Sequence, residues 1–149
     1  MRTRTLDATM ITPAGLCLSI IACGLALRKF GLGLGLSSAL VKYGGSMLWG
    51  TMVFFLVAIA APGQSLWRMA LISALLAVCV ELFRLVHTPW LDDFRLTTAG
   101  ALLLGRVFSP WNMLAYGLGI ALGVLLDRLG RSAVTRTRLS AQHTPHSAN

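Results

Sequence analysis

Acidic side chains are scarce in this sequence, with five Asp and Glu against thirteen Arg and Lys, and charged residues of both signs make up only 12% of it. A water-exposed domain carries about a quarter charged residues, so the shortage excludes an ordinary soluble surface. Cysteine is equally thin. Cys17, Cys23 and Cys79 lie in apolar runs without paired spacing, which argues against a zinc or thiol–disulfide motif and predicts small buried hydrophobes. His143 and His146 stand near the C-terminus, far from other metal-ligating residues, so no metal and no cofactor is expected. There is no HExxH, GxSxG, serine–base pair or aspartate-pair motif, which points away from the common hydrolytic enzymes. The basic residues sit at the ends of apolar runs and toward the C-terminus, without a stripe of interleaved aromatics. That placement excludes a nucleic-acid partner and suits anionic membrane lipids.

What the chain has in abundance is apolar length: 56% of its 149 residues are apolar and its mean hydropathy is +0.73. The fold class this predicts is an all-α integral membrane protein. Four runs approach the roughly 20 residues that span a bilayer core. They cover about 10–27, 43–61, 66–88 and 111–126 within a single domain, 10–127, preceded by a short N-terminal tail, 1–9. Arg2 and Arg4 before the first run suggest a signal peptide, but no small-x-small site closes that run; Arg28 and Lys29 do. The stretch Ile20 to Gly24 resembles a lipoprotein box around Cys23, although a chain that is itself embedded needs no lipid anchor. Gly15, Ser19, Ala22 and Ala26 in the first run, and Ala115, Gly119 and Gly123 in the fourth, fall at spacings that let a neighbouring helix approach closely.

Three segments do not span. Gly31 to Ser38 is glycine-rich and irregular, and no Lys-Ser/Thr follows to make it a phosphate loop. The 13 residues 96–108 are apolar but too short, which predicts a re-entrant or interfacial segment before the last helix. Residues 128–149 are polar and basic, and an unstructured tail is expected there. Four spans put both termini on one side. Seven arginines on that side against five or six Arg and Lys opposite vote for cytoplasmic termini, and so for an outer-face position of the third helix's end.

That end carries Glu81 and Arg84. If the helix runs to Thr88, Glu81 lies ~10 Å below its end, beyond the reach of a short carboxylate to water. A charge at mid-membrane costs about 3 kcal/mol, so Glu81 must be paired or protonated, with Arg84 or Arg95 as partner. His87, Asp92, Arg95, Asn112 and Tyr116 can gather at the same end. Two readings stand: an ion pair that staples helices, or a binding site for a headgroup or small solute. Lone His87 is a poor basis for acid–base catalysis.

The residues that carry a family likeness are Lys42-Tyr43-Gly44, Leu48-Trp49, Val80-Glu81, His87 to Asp92, Arg95, Thr98, Gly100, Leu104-Gly105 and Tyr116 to Gly119. Over about residues 40 to 127 the chain resembles the small bacterial membrane proteins grouped as domain of unknown function 2809, which look distantly VanZ-like. The resemblance implies an inner-membrane bundle and no established reaction. It also implies a Gln and an Asp at two places where this chain has Arg84 and Asn112. Those exchanges shift the local charge toward positive, which either favours an anionic ligand or leaves only a structural pair. The reading is a non-enzymatic protein that binds an anionic headgroup or envelope precursor through Glu81, Arg84, His87, Asp92, Arg95, Asn112 and Tyr116. The alternative is a small transporter or accessory subunit in which Glu81 titrates.

Overall fold

The computed structural model describes residues 3–97, 99–100 and 108–142, with side chains from residue 13 to residue 132 among them. Helices α1 (Thr3–Phe30), α2 (Ser38–Ala60), α3 (Leu66–Phe83), α4 (Pro89–Leu96) and α5 (Pro110–Gln142) follow in order, with no strand among the described residues. Four of them contain stretches long and apolar enough to cross a membrane: Pro13–Phe30, Ser38–Ala60, Leu66–Phe83 and Pro110–Ser132. Large apolar side chains such as Leu18, Leu56, Leu75 and Leu118 stay exposed on the outside of all four. In water such a surface is untenable; in hydrocarbon it is the solvent-facing surface. The fold is therefore the all-α membrane bundle that composition predicts.

Helix α2 is the hub, packing against α1, α3 and α5, while α3 also meets α5. Cys17, Ile20, Phe54, Phe55, Val57, Met69 and Ile120 form the buried core. The α2–α5 approach depends on two glycines. A Cβ on Gly50 would lie 2.6 Å from the Tyr116 carbonyl oxygen, and one on Gly119 would run into the Met47 carbonyl oxygen. Because the backbones come this close, the buried Thr51 hydroxyl reaches the Gly119 carbonyl at 2.9 Å. The Ala115–Gly119–Gly123 face thus meets α2, as its spacing predicts. The stripe expected on α1 does not behave this way. Gly15, Ser19, Ala22 and Ala26 face outward, and α1 packs instead through Cys17, Ile20 and the Gly24 side. Cys23 and Cys79 are likewise exposed, so only Cys17 is the buried hydrophobe expected of all three.

Helix ends depart from the apolar runs for a common reason: hydropathy marks what lies in lipid, whereas backbone hydrogen bonds continue until something stops them. Helix α1 begins at Thr3, inside the segment expected to be a tail, and α2 begins at Ser38, where Ser37 caps the Leu40 amide at 3.2 Å. Helix α5 does not stop near Leu126 but runs to Gln142. The unstructured tail expected from residue 128 is therefore corrected over 128–142, and residues 143–149 lie outside the described part. A polar sequence does not bar a helix, and an Asp127–Arg131 ion pair four residues apart supports this one. Helix α3 is shorter than expected, ending at Phe83 instead of near Thr88. Pro89 holds Thr88 extended, at φ −139° and ψ 147°, and the chain turns through Arg84 into α4, an element the apolar runs do not reveal. Most of the expected non-spanning segment, 96–108, falls outside the described residues.

Candidate functional site

With α3 ending at Phe83, Glu81 occupies its last turn and is fully buried. Four donors converge on its carboxylate. Arg84 Nη1 reaches Oε2 at 2.6 Å and the Tyr116 hydroxyl reaches the same oxygen at 3.1 Å. Oε1 accepts the Ser109 backbone N–H at 2.8 Å and Asn112 Nδ2 at 3.3 Å. Arg84 Nη2 also donates to the Tyr116 oxygen at 2.9 Å, closing a ring of three side chains. The Ser46 hydroxyl of α2 lies 3.4 Å from Asn112 Oδ1, and Trp49 of α2 packs on Tyr116 with ring centroids 4.9 Å apart.

Ser109 directly precedes α5, whose first residue is Pro110. Proline at the first helical position fits the helix and needs no hydrogen-bond partner. Glu81 therefore sets a negative charge at the electropositive start of α5 and satisfies an otherwise unmatched amide. One carboxylate thus joins α3 to α5 both electrostatically and by hydrogen bonds.

A second cluster does the reverse at the end of α3. Arg95, itself buried, donates through Nη2 to the Phe83 carbonyl at 2.7 Å and through Nη1 to the Val86 carbonyl at 2.8 Å. Its guanidinium also lies 5.7 Å from the centre of the Phe83 ring and 3.0 Å from Asp92 Oδ1, which His87 Nδ1 approaches at 3.2 Å. A cation here meets the electronegative helix end. Arg95→Gln is expected to loosen α4 and cost about 1 to 3 kcal/mol. Faster hydrogen exchange over 83–96 together with an earlier melt in detergent would bear this out, and unchanged exchange would refute it.

The sequence-predicted residues thus divide. Glu81, Arg84, Asn112 and Tyr116 form the buried network, whereas His87, Asp92 and Arg95 form the more exposed cluster. Arg84, rather than Arg95, holds Glu81. The Ser109 amide, Ser46 and Trp49 also belong to the site. Ser-Pro before an apolar run is a readable helix start, but nothing local in the sequence points Ser46 and Trp49 at Asn112 and Tyr116. Beside Tyr116 a cavity of about 80 Å³ opens between α3 and α5, lined by Ala74, Ala77, Val78, Met113, Gly117 and Ile120. Its apolar lining suits a hydrocarbon chain better than a polar solute. Among the described residues no group of His, Cys, Asp and Glu is placed to hold a metal.

Fold and network together define a multi-pass membrane protein whose helices are joined at one end by a buried, internally paired carboxylate. The chain belongs to the family described as "Protein of unknown function (DUF2809)", whose profile matches residues 36–120, from the start of α2 through the network to Ile120. No solved structure matches the chain.

Proposed function

We propose that this is a non-enzymatic protein of the bacterial inner membrane that binds an anionic lipid headgroup or envelope precursor at the Glu81 end of the bundle, its termini on the cytoplasmic side. The observation that carries this reading is the distribution of charge at that end. Its described cations are Arg28, Lys29, Lys42, Arg84 and Arg95, and its described acids are Glu81, Asp92 and Asp93. Glu81 and Asp92 are engaged internally by Arg84 and Arg95, so the excess positive charge sits at the rim, where anionic headgroups lie. The buried network is then the frame that keeps the rim in place, and Glu81 itself does not touch the ligand. The transporter reading is weaker, because four donors already surround the carboxylate that would have to exchange its partner during transport. Abolition of a pH-dependent flux by Glu81→Gln would revive it.

The test is lipid analysis of protein extracted in a mild neutral detergent. Phosphatidylglycerol or another anionic lipid is expected to be enriched over the bulk membrane. A bound-lipid composition equal to that of the membrane would sink the reading, and turnover of a bound lipid by purified protein would replace it with an enzyme.

A further inference from the structure

The apolar cavity between α3 and α5 lies directly beneath the Glu81 network and shares Tyr116 with it. Its floor is buried, with Ala77 and Tyr116 3% and Ile120 6% exposed, while Val78 on α3 and Gly117 on α5 stand exposed at its two edges. It is thus a slot between two helices that opens outward. Its depth follows from position along both. Ala74 to Val78 precede Phe83 by nine to five residues and Met113 to Ile120 follow Pro110 by three to ten, so the two walls lie about 4 to 15 Å below the helix ends on the Glu81 side. Helix α3, 18 residues or ~27 Å long, nearly matches a hydrocarbon core of about 30 Å, and the slot therefore falls within one leaflet. Contacts on either side keep it from closing. Glu81 fixes α3 to α5 above it through Asn112 and Tyr116, and the close approach at Gly119 holds α5 against α2. Between these constraints the facing side chains are short: Ala74 and Ala77 on α3, and none at Gly117, where an added Cβ would meet nothing within 4 Å.

We infer that this slot holds one acyl chain of a glycerophospholipid from the leaflet on the Glu81 side. The inference rests on the lipid reading above and names the part of the lipid that the bundle grips. Unfilled space forfeits the dispersion contacts its lining would otherwise make. The apolar lining disfavours water, and at this depth in a bilayer the surrounding material is hydrocarbon. Size decides the form of the occupant. An apolar cavity of roughly 150 Å³ takes one benzene, so one of about 80 Å³ takes a short length of methylene chain. A whole second helix, about 10 Å across, does not enter. A chain in the slot meets α3 and α5 on two sides and a buried floor beneath, whereas a lipid elsewhere on the bundle lies against one outer surface. Its headgroup is then left at the Glu81 end, where the excess positive charge sits.

Full-length protein, delipidated in neutral detergent, is titrated separately with phosphatidylglycerol and phosphatidylcholine, and bound lipid is counted by native mass spectrometry. Gly117→Leu fills the slot from α5 and Ala74→Leu fills it from α3. Each is expected to weaken binding of both lipids on the order of tenfold, the scale of the packing that a cavity of about 80 Å³ represents. Leu118→Ala, at an exposed position on α5, is expected to bind as the parent does. In vesicles, phosphatidylglycerol with a photoreactive diazirine midway along one chain is expected to label Ala77, Val78 and Met113 well above the exposed Leu18 and Leu56, and Gly117→Leu is expected to lose that excess. Parent-like binding by both filled variants, or labelling spread evenly over the exposed leucines, overturns the slot; a parent that still prefers phosphatidylglycerol then keeps the headgroup reading. Equal binding of the two lipids by the parent, with both lost in the filled variants, overturns the headgroup reading and upholds the slot. A dimer of the parent that Gly117→Leu dissolves would give the slot to a side chain of a second copy and overturn the acyl assignment. Should a filled variant fail to fold, the labelling pattern of the parent decides by itself.

Discussion

Glu81→Ala is expected to destabilise the bundle by about 3 to 5 kcal/mol, the range for removing one partner of a buried ion pair. The reason lies in what the carboxylate connects. Its bonds from Ser109, Asn112 and Tyr116 all reach outside α3, and Ser109 and the start of α5 lose their negative partner at the same time. Arg84→Ala removes the cation but leaves those three donors in place, so its loss is expected to be smaller. In a Glu81→Ala background Arg84 has lost its carboxylate, and removing it should then cost little. The cycle formed by the two single variants and Glu81→Ala/Arg84→Ala is therefore expected to give a coupling between about 0.5 and 3 kcal/mol. Thermal unfolding in detergent measures it. Additive losses would mean that the two side chains do not act as a pair.

Gly119→Leu is expected to do as much damage by a different route. Even the Cβ of the new side chain meets backbone, the Met47 carbonyl oxygen and the Thr51 nitrogen, and neither can rotate aside. Helices α2 and α5 would have to part, and the Thr51 hydroxyl would lose the Gly119 carbonyl. Overpacking in a well-packed core costs about 1 to 3 kcal/mol and more where the backbone must move. Gly117→Leu is the control, since a Cβ there meets nothing within 4 Å. Low accumulation and an earlier melt for the first variant with parent-like behaviour for the second would establish the contact. Equal behaviour of the two would refute it.

Apolar length made the four spans legible, and the cost of an unpaired charge in hydrocarbon made Glu81 and Arg84 legible as partners. The same reasoning misplaced the end of α3. The early end at Phe83 instead brings Ser109 and Asn112 onto the carboxylate. That end is fixed by Pro89 locally and by Arg95, twelve residues from the carbonyl of Phe83 it caps. Local sequence reveals the first of these and not the second. The small-residue stripe of α1 misled for a related reason: spacing shows that a face permits close approach, and only the neighbours decide whether anything approaches it.

Apolar helix surfaces in lipid carry little information about height. Leucine against leucine packs almost as well after a helix slides by one turn, since lipid and protein offer similar contacts. A carboxylate that must meet the first amide of another helix has no such freedom. Moving α5 by a single residue along its axis shifts its start by about 1.5 Å and turns it by about 100°, which takes Ser109, Asn112 and Tyr116 away together. Glu81 therefore acts as a depth gauge, fixing how far α5 is drawn into the membrane relative to α3. Exchanging it with Arg84 would conserve charge and lose the gauge, because a backbone N–H cannot become an acceptor.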